Sequence, residues 1–197
     1  EGAIHPVTYE LLGKGRELAD RLSVELTAAL LGFRVEEEAP KLVHHGADKV
    51  YLFDDESLKE FDAVRYKENL VRLLMEVRPE ILLFGATRVG RALAPRVAAA
   101  LGTGLTADCT DLDLDEDGNL IQIRPAFSGN IMARIRTRTR PQIATVRYKV
   151  MRPAEPNPER RGEIVKMDVD VIEDSGLKVV EKERIKGVDI TEAEVIV

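Results

Sequence analysis

Glycines and arginines carry most of the chemical potential of this sequence. Gly85 closes the apolar run EILLFG and Gly90 follows five residues later, with Gly102 and Gly104 beyond. The spacing is neither GxGxxG nor a phosphate-binding loop with its Lys and Ser/Thr. The favoured reading is a tight strand–helix turn with close packing of helix on sheet. The functional alternative sets the Thr87 hydroxyl and the amides of a helix N-terminus against a phosphate or a facing carboxylate. Arg88 and Arg91 stand three apart and share a helix face. Basic charge in a first helical turn is mildly unfavourable, and Pro95 forfeits a helical hydrogen bond. Such costs point to a requirement at the site, and Thr87, Arg88 and Arg91 are read as contacts to another polypeptide. Arg124, Gln142 and Arg147 fall at the ends of strand candidates and, with Asn130, are expected to converge at one end of a sheet.

Other groups offer less. Arg134, Arg136, Arg138 and Arg140 alternate, so in one strand all four would share a face. A solvated edge strand ranks first for them, a protein interface second and an RNA face last, since only Phe127 and Tyr148 are near for base stacking. The acidic run Asp108, Asp111, Asp113, Asp115, Glu116 and Asp117 is a candidate to oppose these arginines. Cys109 lies between acidic residues, which does not favour a thiolate. His44 and His45 are adjacent and cannot share a helix face. No Ser–His–acid set and no zinc ligand set can be assembled, so no catalytic residue and no metal ligand is assigned.

Helix and strand patterns alternate to present these residues. Helices are expected over 9–22, 35–44, 69–77 and from Thr87 to about 101. Buried strands are expected over 24–31, 49–53, 80–85 and 105–112. Repeated strand–helix–strand units imply an α/β three-layer sandwich with a mostly parallel sheet. Past Asp115 the pattern changes. The turn at 117–119 separates short strands, with further candidates over 120–127, 131–137, 143–150, 163–172, 177–185 and 191–197. One domain over 1–197 is expected, with 113–197 adding mainly antiparallel β elements.

Composition bounds the function. The chain has 197 residues, 44% hydrophobic and 32% charged, which suits a folded soluble domain. A net charge of −6 disfavours nucleic acid as a global partner. One cysteine excludes an internal disulfide and fits a reducing compartment. No apolar run approaches the roughly 18 residues of a membrane span. The opening EGAIHPV has no signal-peptide pattern. The expected location is the prokaryotic cytoplasm, although a processed mitochondrial matrix protein would read the same.

The segments FGATRVGRALAPRVA (84–98) and LGTGLTAD (101–108) closely resemble the alpha subunit of electron-transfer flavoproteins. IRPAF (123–127), GNIMA (129–133) and PQIATVR (141–147) look like the next blocks of that family, and DITEAEVIV (189–197) resembles the stretch leading into its glycine-rich FAD domain. The resemblance covers essentially the whole chain. It implies a Rossmann-like sandwich of the adenine nucleotide alpha hydrolase type, packed on a beta subunit. It implies a complex that carries electrons through FAD between acyl-CoA or other dehydrogenases and further carriers, in some members with NADH-dependent bifurcation. Arg124, Asn130, Gln142 and Arg147 would then lie near a cofactor in the partner subunit. The family's opening strand and its serine-glycine-glycine-arginine-glycine stretch are not in the sequence, so the parent polypeptide is expected to continue past both ends. No FAD is expected to bind this stretch tightly by itself, and the isolated chain is open to homodimerisation through an orphaned interface. The alternative is a stand-alone adenine-nucleotide-binding or regulatory module.

Overall fold

The computed structural model describes residues 3–177 and 179–181. In chain order it contains α1 (Val7–Leu22), β1 (Thr27–Gly32), α2 (Ala39–His44), β2 (Lys49–Asp54), α3 (Ala63–Val77), β3 (Ile81–Gly85), α4 (Arg88–Ala100) and β4 (Leu105–Cys109). Then follow β5 (Asp111–Leu114), β6 (Leu120–Ala126), β7 (Ile131–Ile135), β8 (Gln142–Val146) and β9 (Glu163–Lys166). The strands form two parallel ladders, β1-β2-β9 and β3-β8-β4, and one antiparallel sheet, β5-β6-β7. The architecture is a Rossmann-like α/β sandwich, as the strand–helix alternation implies.

Side-chain alternation sorts the strands between two faces. Ile81 and Leu83 of β3, with Ala144 and Val146 of β8, pack against Leu11, Leu18 and Leu22 of α1. On the same face Leu12 of α1 joins Leu42 and Val43 of α2 over Val50, Ala28 and Leu30. Leu82, Phe84, Leu31 and Phe53 point the other way, into Leu70, Leu73 and Leu74 of α3 and Leu93 and Val97 of α4. Each fully buried side chain of this size contributes about 1.5–3 kcal/mol. All five residues of β8 are buried, as befits a strand paired on both edges and covered on both faces.

Local chemistry fixes several boundaries. Asp62 caps α3, accepting from Val64 and Arg65 at 2.8 and 3.3 Å. Thr87 Oγ1 caps α4, accepting from Gly90 N at 3.1 Å. Asp54 accepts from the backbone of Arg34, Val35 and Glu36. That clasp starts a 3-10 turn over Glu36–Glu38, so the helix expected over 35–44 is α only from Ala39. Asp48 ties α1 to the β8–β9 link, receiving Arg16 at 2.7 Å, Arg160 at 2.5 Å and Leu26 N at 2.8 Å.

Other expectations are corrected. The strand over 105–112 breaks in two, because Asp108 turns to φ 61° and Thr110 N donates to Ile123 O in another sheet. The four alternating arginines do not share a strand: β7 ends at Ile135, so only Arg134 is in it. Arg134 and Arg136 instead meet the chain's own acidic run at Asp113 and Asp115, at 3.7 and 2.9 Å. The Arg136 and Asn119 hydrogen bonds bring the Asp115 carboxyl down to about 2. The strand over 163–172 is reduced to β9. Residue 177 and residues 179–181 are not in a strand, and the rest of the candidates over 177–185 and 191–197 lies outside the described residues.

Candidate functional site

Three parallel strands end together at Gly85, Val146 and Cys109, and their ends are stitched by Ala86 N to Val146 O (2.7 Å) and Arg147 N to Cys109 O (2.9 Å). In open parallel sheets this carboxyl edge is where ligands and partners meet the fold. Helix α4 starts here, which places Thr87, Arg88 and Arg91 on the same rim as Arg147. Asp108 lies at its centre, accepting from Arg147 at 2.6 Å and from Arg91 at 3.2 Å. The Arg147 hydrogen bond, with the charges of Arg147, Arg91 and Arg124, holds the Asp108 carboxyl below the usual carboxylate range against the opposing effect of burial.

The antiparallel hairpin of β6 and β7 rises beside this rim. Arg124 lies opposite Ala133, and Ala126 opposite Ile131, so the tip is formed by residues 127–130. Asn130 is exposed there. Phe127 is 81% exposed, Ile131 54% and Met132 53%, and Val89, beside Arg88, is also exposed. Phe127 holds φ 47°, which costs a bulky residue about 1–2 kcal/mol. The result is an apolar tip next to a guanidinium-rich rim.

The structure therefore brings Thr87, Arg88, Arg91, Arg124, Asn130 and Arg147 to one end of the molecule. It does not bring Gln142 there. Gln142 opens β8, about 13 Å from Val146 along the strand. It is buried, accepts from Leu120 N at 2.7 Å and donates to Thr137 O at 2.6 Å. Gln142 is a buried clamp between β6 and β8. Gln142→Leu leaves an amide and a carbonyl without partners, and is expected to reduce stability by about 2–3 kcal/mol in urea denaturation while leaving contacts at the rim unchanged.

Thr87 is committed to its capping bond, so its hydroxyl serves α4 before any ligand. Asp108 and Phe127 are the two residues whose importance the sequence understates. The available signals were an acid at a strand end opposite a future arginine, and an aromatic residue directly before Ser-Gly-Asn, where a turn ejects it from the core.

Cys109 is fully buried, and burial pushes its thiol up to about 11. It is expected to resist maleimide in the native chain and to label completely in denaturant, as read by mass spectrometry. No group of three or more His, Cys, Asp or Glu fit to hold a metal occurs among the described residues. No helix among them is long and apolar enough to cross a membrane.

The fold and rim define a Rossmann-like α/β sandwich whose carboxyl edge gathers arginines around Asp108. Residues 1–172 match the electron transfer flavoprotein domain, and the chain belongs to that family. It is 48% identical over 202 residues to the lactate dehydrogenase (NAD(+),ferredoxin) subunit LctC of Acetobacterium woodii, covering 100% of this chain and 48% of the relative. It is 44% identical over 200 residues to the electron transfer flavoprotein subunit alpha of Thermoanaerobacterium thermosaccharolyticum, covering 100% of this chain and 61% of the relative. It is 52% identical over 149 residues to the same subunit of Clostridium acetobutylicum, covering 75% and 44%. The chain thus spans about half the length of the curated relatives it matches.

Proposed function

We propose that this chain is the partner-binding, N-terminal domain of an electron transfer flavoprotein alpha subunit, acting from the cytoplasm. The observation that carries the reading is the joint placement of the basic rim and the exposed apolar tip at one end of the sheet. An apolar patch bordered by charge is the usual form of a protein docking face. Thr87, Arg88 and Arg91 face the beta subunit from α4. Arg124, Asn130 and Arg147 face the cofactor that subunit holds.

The residues present fit the edge of a flavin nucleotide held by another chain. Among the described residues the turn into α4 lacks GxGxxG spacing, and an added Cβ on Gly90 would meet the Gly85 carbonyl, which supports close helix–sheet packing there. FAD supplies the electron-carrying chemistry of the complex when bound. The part of this chain is to position, to supply positive potential and to exclude water. Arginines at the rim favour an anionic group by charge-assisted hydrogen bonds. Asp108 sets the geometry of two of them beforehand, which lowers the ordering cost of docking. The whole complex would pass electrons between dehydrogenases and acceptors. The similarity to a lactate dehydrogenase subunit named for NAD(+) and ferredoxin favours a bifurcating version.

Calorimetric titration with an electron transfer flavoprotein beta subunit tests the reading. Association that weakens with salt and with Arg147→Glu is expected. Tight binding of AMP or ATP by the chain alone, with no association to the beta subunit, would replace it with a stand-alone nucleotide module.

A further inference from the structure

We propose that the outer edge of β7 is a seat for one strand of the docking partner, an extended segment in which acidic and apolar residues alternate. The proposal rests on the docking face described above and adds how that face is occupied. Among the described residues β7 pairs only with β6, so its second edge has no backbone partner. The register identifies the groups left over. Asp115 N donates to Asn119 O, and Thr110 N to Ile123 O, so the odd-numbered positions on this side turn their backbones to β5. Successive residues of a strand bond to opposite neighbours, so Gln122, Arg124 and Ala126 serve β7. Their partners are Ile135, Ala133 and Ile131. Met132 and Arg134 face away, each with an N–H to donate and a C=O to accept.

This edge is uncovered. Ile131, Met132, Arg134 and Ile135 are all exposed, and Ala133 is half-buried. An open apolar edge recruits another strand, and proteins that leave one free protect it with proline, a bulge or charge. Strand β7 has no proline, and its pairing with β6 runs without a bulge. Charge is its one protection. No Asp or Glu occurs from Leu120 to Met151, while Arg134 lies in the strand and Arg136 and Arg138 follow it. The seat is also continuous with the exposed tip, because Ile131 pairs with Ala126, the residue before Phe127.

Those charges choose the occupant. A second copy pairing β7 with β7 would set these arginines against themselves, and like charges across a ladder oppose pairing. An acidic strand is favoured instead. Arg134 reaches Asp113 only at 3.7 Å and keeps 60% of its side chain exposed, so it can take another carboxylate. Alternation places Met132 and Arg134 on one face and Ile131, Ala133 and Ile135 on the other. The incoming strand therefore sets acids beside Arg134 and apolar side chains beside Ile131 and Ile135. It matches the five residues of β7 in length.

The test combines the chain with an electron transfer flavoprotein beta subunit and follows hydrogen exchange and calorimetric affinity. In the free chain the amides of Met132 and Arg134 are expected to exchange faster than those of Ala133 and Ile135, and on binding to slow roughly tenfold or more. Met132→Pro removes an outward N–H without touching the ladder to β6, so association is expected to weaken about thirtyfold or more with the fold intact. Met132→Ala keeps that N–H, and a loss of about threefold is expected. Arg134→Glu is expected to weaken association about tenfold, and less at high salt. Should Met132→Pro unfold, the exchange result on the parent decides alone. Association of the parent with both amides still fast, or equal affinities of the Pro and Ala variants, overturns the seat and leaves the docking reading standing. Unchanged affinity of Arg134→Glu overturns the acidic occupant. No association of the parent overturns both seat and docking reading. Slow exchange of both amides in the free monomer would assign the edge to residues 182–197, and slowing only in a dimer of the chain would assign it to a second copy. Either result overturns the proposal.

Discussion

Gly90→Ala is expected to remove a large share of the stability of the chain, about 3–5 kcal/mol of a total of about 5–15. A Cβ at this position would lie 1.9 Å from Gly85 O and 3.1 Å from Gly85 C. Both are backbone atoms of the strand on which α4 begins, so neither can swing aside as a side chain would. Relief requires α4 to move off the sheet, and α4 brings Leu93, Ala94 and Val97 into the core. Moving it opens the layer shared with α3 and shifts Thr87, Arg88 and Arg91 together. Gly102→Ala is the control: it has a positive φ of 64° but nothing within 4 Å of an added Cβ. It should cost only about 1 kcal/mol, from backbone strain. Urea midpoints with unchanged m-values read the difference. Equal midpoints for the two variants would show that the close approach at Gly90 does not hold α4 in place.

The contact at Gly90 is legible in the sequence as chemistry. A glycine five residues after a strand-ending glycine, with Thr between them, reads as a capped helix packed close to a sheet, and that is its geometry. The parallel ladders were equally legible, because runs such as 80–85 are apolar without alternation. Long-range effects escaped. The strand over 105–112 has an unbroken pattern, and it is split by the left-handed turn at Asp108 and by a bond from Thr110 to a strand that comes later in the chain. Local periodicity carries no information about either.

Gln142 and Arg147 illustrate the same limit at the site. Both sit at ends of β8, and a pattern of apolar residues between two polar ones treats the ends alike. The carboxyl edge of a parallel sheet is the one that meets ligands, and applying that rule to the order of the chain would have separated them. Gln142 comes first and is consumed by Leu120 and Thr137; Arg147 comes last and reaches the rim. The arginine run from 134 to 140 failed for a different reason. Strand β7 stops at Ile135, opposite Gln122, although β6 begins two residues further on at Leu120, and the acidic residues of β5 and its turn draw Arg134 and Arg136 aside.

Phe127→Asp is expected to weaken association with the beta subunit by about thirtyfold or more while leaving the fold unharmed. Those two outcomes separate because Phe127 is 81% exposed and contributes little to the core. Its left-handed backbone, φ 47°, is one that Asp adopts more readily than Phe, so the free chain should lose nothing in a urea titration. At an interface the balance reverses. A ring at the tip, flanked by Ile131 and Met132, has the form of a central anchor, and truncating such an anchor costs about 2 kcal/mol or more. A carboxylate there would add desolvation of a charge. Arg147→Glu should act differently: it removes the bond to Asp108 and reverses a rim charge, so its effect on the association rate should fade as salt rises. The Phe127 effect should persist at high salt, since burial of apolar area is not screened. An affinity for Phe127→Asp within about threefold of the parent, at any salt concentration, would remove the tip from the docking face, because a contact of hot-spot strength cannot vanish so cheaply.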